Sequence, residues 1–328
     1  MRRIVRAGPL MMVAIAAVIA MAMVLVVSGL VGADQRSRSL GTLTLDRVMD
    51  TQRSRLETVL GTYEWDLQEE VAFIAEHDTL TNNALVGRWR PLLEGHYAIE
   101  AVGLADERGD ERALVRGDSA WVFSSTVSGS EKGPAVLTLF PMRKGGSSGR
   151  TVTHIVDDLG DPREEAWFGQ ALEDRHGDPV WSSSTDSVNG ANELHVSLLI
   201  RGKDDNDPYR ILRITVSPEL ALGTLTTRTP SLATIHLSPM GTPYGRSDTT
   251  ALAHAWGEAL RRWEPKRANT AFSFTYDGTH RMVQFVPCTV NGAVLFIGAL
   301  IDLDRLDQWT RPERLALWTG GFLLVLLT

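Results

Sequence analysis

Residues 10–31 contain no charged side chain, and that one run constrains where the rest of the chain can fold. A helix rises about 1.5 Å per residue, so some 22 residues reach roughly 33 Å, enough to cross a bilayer core. Val31, Gly32 and Ala33 supply small residues near a signal-peptide cut, but the apolar core of a signal peptide usually runs only about 7–15 residues. The length favours an uncleaved transmembrane anchor over a cleaved signal. Arg2, Arg3 and Arg6 precede the run, which assigns residues 1–9 to the cytoplasm. Everything after Asp34 then lies periplasmic or extracytoplasmic, held at the inner (plasma) membrane.

The other end repeats the theme. Residues 315–328 are again uncharged and follow directly on Arg311, Glu313 and Arg314. Some 14 residues fall short of the roughly 20 that a span needs. They read as the start of a second transmembrane helix, truncated here, in which case this is the front part of a longer protein. The alternative is a C-terminal tail packed on the soluble domain.

Between the apolar stretches lie about 280 residues, enough for one large domain or two smaller ones. The formal net charge is −7, and setting aside the three N-terminal arginines and Arg314 leaves roughly −11 for that segment. Nucleic-acid surfaces need clustered positive charge, so no nucleic-acid partner is expected. Cys288 is the only cysteine, which removes a disulfide framework and any cysteine-based zinc site. Such a domain depends on its core, and 43% hydrophobic residues make one feasible.

From about 40 to 77 the pattern predicts one long helix within a stalk at 35–80. Leu45, Met49, Gln52, Leu56, Val59, Tyr63, Leu67, Val71 and Ile74 recur at spacings of three and four, a single stripe. Arg53, Arg55, Glu57, Glu69 and Glu70 fall largely off it. The stripe suits packing within one subunit or against a second copy of the helix in a homodimer.

After Trp89 and Pro91 the period changes. Strands are predicted at 99–105, 112–115 and 136–140, with a Gly- and Ser-rich stretch at 124–149 that is harder to read. Asp161, Pro162 and Glu164 form a helix start, followed by an apolar side of Trp167, Phe168, Ala171 and Leu172. Strands follow at 179–183, 194–200 and 211–216, then a helix from Ser217 and Pro218 to about 225. A Thr/Pro-rich joint at 226–230 separates a second half built to a similar plan. It has a strand at 232–237, an amphipathic helix at 249–263 and antiparallel strands at 272–276, 281–287 and 294–301. Asp277–Gly278 and Asn291–Gly292 make hairpin turns between them. The predicted fold is α+β, two modules with antiparallel sheets at 81–226 and 231–310.

This order, anchor, long helix, two α+β modules and second span, resembles the double Cache family of PAS-like extracytoplasmic sensor domains. Local stretches share the likeness over about residues 35–310. Glu164, Trp167, Phe168 and Ala171 are similar to the family's helix with Trp and a neighbouring aromatic. Pro179, Trp181 and Ser182 are similar to its following strand, and 212–217 to the strand closing the membrane-distal pocket. The resemblance implies a small-molecule ligand in the distal module and an output such as a histidine kinase, a cyclic-di-GMP enzyme or a chemoreceptor. It also implies candidate ligand-binding residues: Trp167, Phe168 and Trp181, with Arg163, His195 and Thr215 as polar contributors. Two departures matter. The amino-acid-binding subgroup has an Arg two residues before the helix Trp and an Asp on the closing strand; Glu165 and Thr215 stand here instead. Ordinary α-amino-acid binding is therefore not expected, while neutral, aromatic or amine ligands stay open, as does a module that binds nothing.

No enzyme chemistry is legible. The eight histidines form no H-E-x-x-H or His–carboxylate cluster, so no metal or cofactor is expected. Asp204, Asp205 and Asp207 lack the Gly and distal Glu of a calcium loop and read as a solvated turn. S-x-x-K, P-loop and kinase signatures are missing from the sequence. Glu64, Trp65 and Asp66 are similar to a feature of another sensor family, CHASE4, but alone read as a helix tryptophan between exposed acids. The leading expectation is ligand sensing and signal transduction across the membrane. The alternatives are a membrane-anchored structural or assembly protein, or a hydrolase.

Overall fold

The computed structural model describes residues 7–77, 80–126, 135–141, 152–156, 160–174, 176–185, 192–202, 208–223, 225–226, 229, 231–244, 250–291, 293–306, 316 and 319. The expected second span, the loops at 144–149 and 203–207 and most of the joint at 226–230 fall outside these residues.

The long helix is longer than its stripe suggested. Helix α1 runs Ala7–Glu76 without a break. At about 1.5 Å per residue it extends on the order of 100 Å. Its first part is the apolar stretch, where Met21, Met23, Val24 and Val27 are exposed. Among the described residues no helix meets both the length and the hydropathy needed to cross a membrane. Further along, Leu45, Met49, Gln52, Leu56, Tyr63, Leu67 and Ile74 are all buried. Two acids behave differently from their expected exposure. Glu70 is buried and accepts from Arg88 Nε at 2.8 Å. Asp66 is buried and lies 3.3 Å from His96 Nε2. Burial pushes both carboxyl pKa values up, opposed by Arg88 and His96 respectively.

Helix α2 (Asn82–Gly95) was not expected, because Pro91 lies inside it. Proline removes one helical hydrogen bond, but Leu85, Trp89 and Leu93 are fully buried and hold the helix on the sheet. Thr81 caps it by accepting from Ala84 N.

An eight-stranded antiparallel sheet follows, made of β1 (Ile99–Asp106), β2 (Glu111–Arg116), β3 (Ala120–Thr126), β4 (Ala135–Pro141), β5 (Val152–Val156), β6 (Val180–Thr185), β7 (Asn192–Ile200) and β8 (Arg210–Val216). Its order is β5-β4-β3-β2-β1-β8-β7-β6. Strands β3 and β5 were missed because Ser and Gly around them masked the alternation. Between β5 and β6 come a 3-10 turn (Pro162–Glu164) and helix α3 (Ala166–Glu173). Helix α4 (Pro218–Gly223) leads out of β8.

The second sheet has β9 (Leu232–Leu237), β10 (Pro243–Tyr244), β11 (Phe272–Tyr276), β12 (Thr279–Val290) and β13 (Ala293–Asp302), with helix α5 (Thr250–Trp263) between β10 and β11. Its order, β10-β9-β13-β12-β11, matches β2-β1-β8-β7-β6 of the first sheet position for position. The same plan is therefore used twice, and the first copy is extended by the β3–β5 meander. Turn chemistry is as expected: Asp277 and Gly278 have φ of 52° and 72°, and Asn291 has φ of 36°.

Both sheets turn one face to α1. A single apolar cluster joins Leu45, Leu56, Leu60 and Leu67 of α1 to Val102, Val196 and Ile214 of the first sheet and to Ile297 and Ile301 of the second. The opposite face of the first sheet carries α3, and that of the second carries α5. Leu67 is fully buried in the shared cluster. Leu67→Ala should cost about 2–5 kcal/mol through lost transfer energy and a residual cavity. Thr58→Ala, on the exposed side of α1, should change stability by under about 0.5 kcal/mol. Guanidinium unfolding of the two variants checks the contrast.

Candidate functional site

The polar side chains gather on the face of the first sheet that α3 covers. Side chains in register across antiparallel strands share a face. One row therefore holds Ser197, Arg213, Gly103, Ala113 and Ser124, and the next holds His195, Thr215, Ala101 and Val115. Ser182 joins the second row through its pairing with His195. Leu198, Leu212 and Ile214 alternate onto the α1 side.

Helix α3 is placed by its approach. Asp161 accepts from Arg163 N at 2.9 Å, and Pro162 opens the 3-10 turn. Trp167, Phe168 and Ala171 then pack on Ala105 and Ile211. Ser197 Oγ donates to the Trp167 carbonyl at 3.2 Å, and the Arg213 guanidinium lies over the Trp167 ring, 4.5 Å from its centroid.

Two polar groupings result. In the first, Arg213 Nη2 donates to Glu111 Oε1 at 2.8 Å, with both side chains mostly buried. Arg213 Nε and Trp167 Nε1 are buried and have no protein partner, and the same holds for Ser182 Oγ in the row of His195. An unsatisfied buried donor costs about 1–3 kcal/mol. In the second grouping, His195 Nε2 is 2.7 Å from Ser184 Oγ, and its Nδ1 is 3.2 Å from Thr215 Oγ1. Glu193 lies 3.5 Å from the ring. Burial, reinforced by the Arg213 charge, holds the His195 pKa down at about 3, so the ring is neutral and shares its donor and acceptor with hydroxyls that rotate to suit.

Of the six residues singled out from the sequence, Trp167, Phe168, His195 and Thr215 are on this face. Trp181 is not. It points to the α1 side, where its Nε1 donates to Glu64 Oε1 at 2.7 Å and its ring meets Tyr63 edge-on. Arg163 is exposed and paired with Asp161 at 2.5 Å, outside the covered face. Glu64 is thus a buried-side acceptor in the middle of α1, whereas Trp65 between the two acids is 58% exposed. Arg213 and Glu111 were overlooked. Alternation along β8 carried the signal for Arg213, because it is two residues from Thr215 and must share its face.

A separate cleft of about 500 Å³ lies at the far end of α3, lined by Gln170, Glu173, Asp174, Asp178 and the hairpin residue Asn291. Among the described residues no group of three or more His, Cys, Asp or Glu is placed to hold a metal ion.

No protein-family model matches the chain, and no curated protein matches it in sequence. Solved structures do match. The ligand-binding domain of the Pseudomonas fluorescens chemoreceptor CtaA, in complex with L-serine, is 16% identical with a TM-score of 0.52, covering 81% of this chain and 99% of that one. The ligand-binding domain of Campylobacter jejuni chemoreceptor Tlp3, in complex with L-norvaline, is 14% identical with a TM-score of 0.53, covering 83% and 94%. That of the Pseudomonas aeruginosa chemoreceptor PctB, in complex with L-Arg, is 14% identical with a TM-score of 0.52, covering 81% and 96%. At such identities the likeness is one of fold.

Acid should weaken this structure through its histidines. His195 and His236 have folded pKa values lowered to about 3 and about 4, below the unfolded value near 6.5. Their contribution is complete above pH 6.5 and is lost as pH falls below it, by up to about 1.4 kcal/mol per pH unit for each ring. The difference in unfolding free energy between the native chain and His195→Gln, measured at pH 7, 6 and 5, should shift in favour of the variant at each step down.

Proposed function

We infer from this double Cache fold that the chain is the input half of a membrane receptor that senses a small ligand outside the cytoplasm. The observation that carries the reading is the continuity of α1. One helix connects the apolar stretch at 10–31 to the sheet bearing the buried polar face. A ligand that favours one packing of that face over another biases the helix, and only such a difference in affinity can drive a signal.

The remaining assignments belong to the same proposal. Residues 10–31 are the anchor, and the water exposure of Met21, Met23, Val24 and Val27 suits a lipid environment better than a soluble one. The module at 231–310 is membrane-proximal and that at 81–226 membrane-distal. In support, Gly41 of α1 faces Met282 and Ile301 of the second sheet and Leu303 just after it, while Glu70, some 29 residues further from the anchor, pairs with Arg88 of α2. Leu40, Leu43 and Trp65 are exposed on α1, a face available to a second copy in a homodimer. Residues 315–328 begin the return span toward a histidine kinase, a diguanylate cyclase or a chemoreceptor output.

The test is a thermal-shift screen of the full chain in detergent against a broad metabolite set. A cognate ligand at 100 times its Kd should add about 2.7 kcal/mol of stability. A flat response across amino acids, organic acids, amines, sugars and purines would remove the sensing assignment.

A further inference from the structure

His236 lies at the joint between α1 and the second sheet. Ala233, Ile235 and Leu237 of β9 pack under α5, so alternation along the strand turns His236 to the opposite face. There it is in register with Tyr244 of β10 and Ile297 of β13, both members of the cluster built around α1. The ring is 1% exposed, yet neither of its nitrogens has a partner among the described residues. The Tyr244 hydroxyl beside it has none either. A neutral imidazole carries one donor and one acceptor, and burying them unpaired costs free energy that an apolar side chain would avoid. Stability alone gives no reason for a histidine here.

No charge compensates the ring. Burial pushes the Tyr244 hydroxyl up to about 12 and raises the Cys288 thiol of β12, so both are neutral. The charged side chains of the helices on this side, Asp46, Arg47, Asp50, Arg53 and Glu57 of α1 and Glu219 of α4, are exposed. Asp302 ends β13, and His280 and Arg281 begin β12, away from Ile297 and its partner Val286. Burial alone therefore holds the His236 pKa down, at about 4. A hydrated imidazole titrates near 6.5, so acid favours any packing that lets water reach the ring. The closed packing is fully favoured above pH 6.5 and loses ground as pH falls toward 4, about tenfold for each pH unit.

Position decides what opens. Gly41 of α1 faces Met282 and Ile301, and Arg53 Nη2 donates to the Pro287 carbonyl at 3.3 Å. His236 lies between these two contacts, because Ile297 follows Phe296, the partner of Pro287, and precedes Ile301, the partner of Met282. A charged ring at that point works against the seating of α1 on the second sheet, while His195 and the α3 face belong to the other sheet.

We propose that His236 is a proton sensor in the second module, whose protonation releases α1 from the second sheet while the first sheet stays folded. The release stands on its own, and its role as a second input to a receptor rests on the sensing reading above.

Cys288 reports the release. It is the only cysteine, is 1% exposed, and belongs to the cluster around α1. Its reaction with 4,4′-dithiodipyridine, which proceeds in acid, is followed on the full chain in detergent at pH 7, 6 and 5. Each rate is divided by that of glutathione at the same pH. The native ratio should rise about 20-fold from pH 7 to pH 5, as expected for a ring that titrates near 6.5 when open and about 4 when closed. His236→Gln does not titrate and should hold the rise to under about 2-fold. His236→Leu makes the same comparison if His236→Gln does not fold. His195→Gln should keep the full rise. A flat native ratio would overturn the proposal, as would a rise retained in the His236 variants. A rise lost equally in His195→Gln would mean that the thiol is reached by global unfolding, and would overturn it too. None of these outcomes bears on ligand sensing, which the thermal-shift screen decides separately.

Discussion

Everything in this molecule leans on one stripe of α1. Leu45, Leu56, Leu60 and Leu67 have no exposure, and the cluster they belong to takes in side chains from both sheets. Each such leucine contributes roughly 1.5–3 kcal/mol of burial, so neither sheet is independent of the helix. A polar contact reinforces the joint. Glu64 Oε1 accepts from Trp181 Nε1 of the first sheet at 2.7 Å and from Asn291 Nδ2 of the β12–β13 turn at 2.8 Å. The Asn291 carbonyl accepts from Trp181 N at 2.9 Å. Helix, first sheet and second sheet therefore meet at a single carboxylate, and a shift of β6 cannot occur without being felt by both other parts.

Much of this was legible in the sequence, for reasons that can be stated. The stripe was readable because an amphipathic helix repeats every three to four residues whatever it packs against. Strands β9 and β11 were placed to the residue, since Pro230 and the Ser238–Gly241 turn bound the first and the Asp277–Gly278 turn closes the second. Helix α2 was lost because Pro91 is a local signal for a break, while the burial of Trp89 and Leu93 that overrides it is a tertiary fact. Glu70 and Asp66 were misjudged for a related reason: their partners, Arg88 and His96, are on or just after α2, so missing that helix hid the compensation that lets an acid be buried.

The site shows where periodicity stops. Alternation says which residues of a strand share a face, not which face meets α1 and which meets α3. Trp181, the one aromatic on a strand otherwise rich in Ser, was taken for the ligand side and belongs to the helix side. Trp167 and Phe168 precede no such ambiguity, because a short helix between strands has only one sheet face to cover. Arg213 followed from Thr215 by the same period-two rule, but the family's charged positions drew attention to Arg163 and Glu165 instead.

The repeated topology sharpens the contrast between the two modules. Strands β13 and β8 hold equivalent places in the two sheets, yet their outer faces are built for opposite ends. Under α5, Trp263 stacks on Phe285 at 4.6 Å and Trp256 meets the same ring at 6.0 Å. Even a methyl at Gly298 of β13 would fall 2.7 Å from Ile235 and 2.8 Å from Phe285. That face is filled, and its energy is spent on packing. Under α3 the same position in the sheet presents Arg213, with unspent donors on both sides of the contact between Arg213 and Trp167. A fold that needed only stability would have no reason to retain them, since an apolar filling like that of the second sheet serves at lower cost. The second sheet's own buried histidine, His236, has both ring nitrogens unpartnered, but it faces α1 within the shared core, beside the Tyr244 with which it is in register. Polarity in the second module is thus enclosed by the spine, whereas in the first it is turned away from the spine toward a single short helix. That difference, rather than the presence of polar residues as such, is what singles out the α3 face of the first sheet.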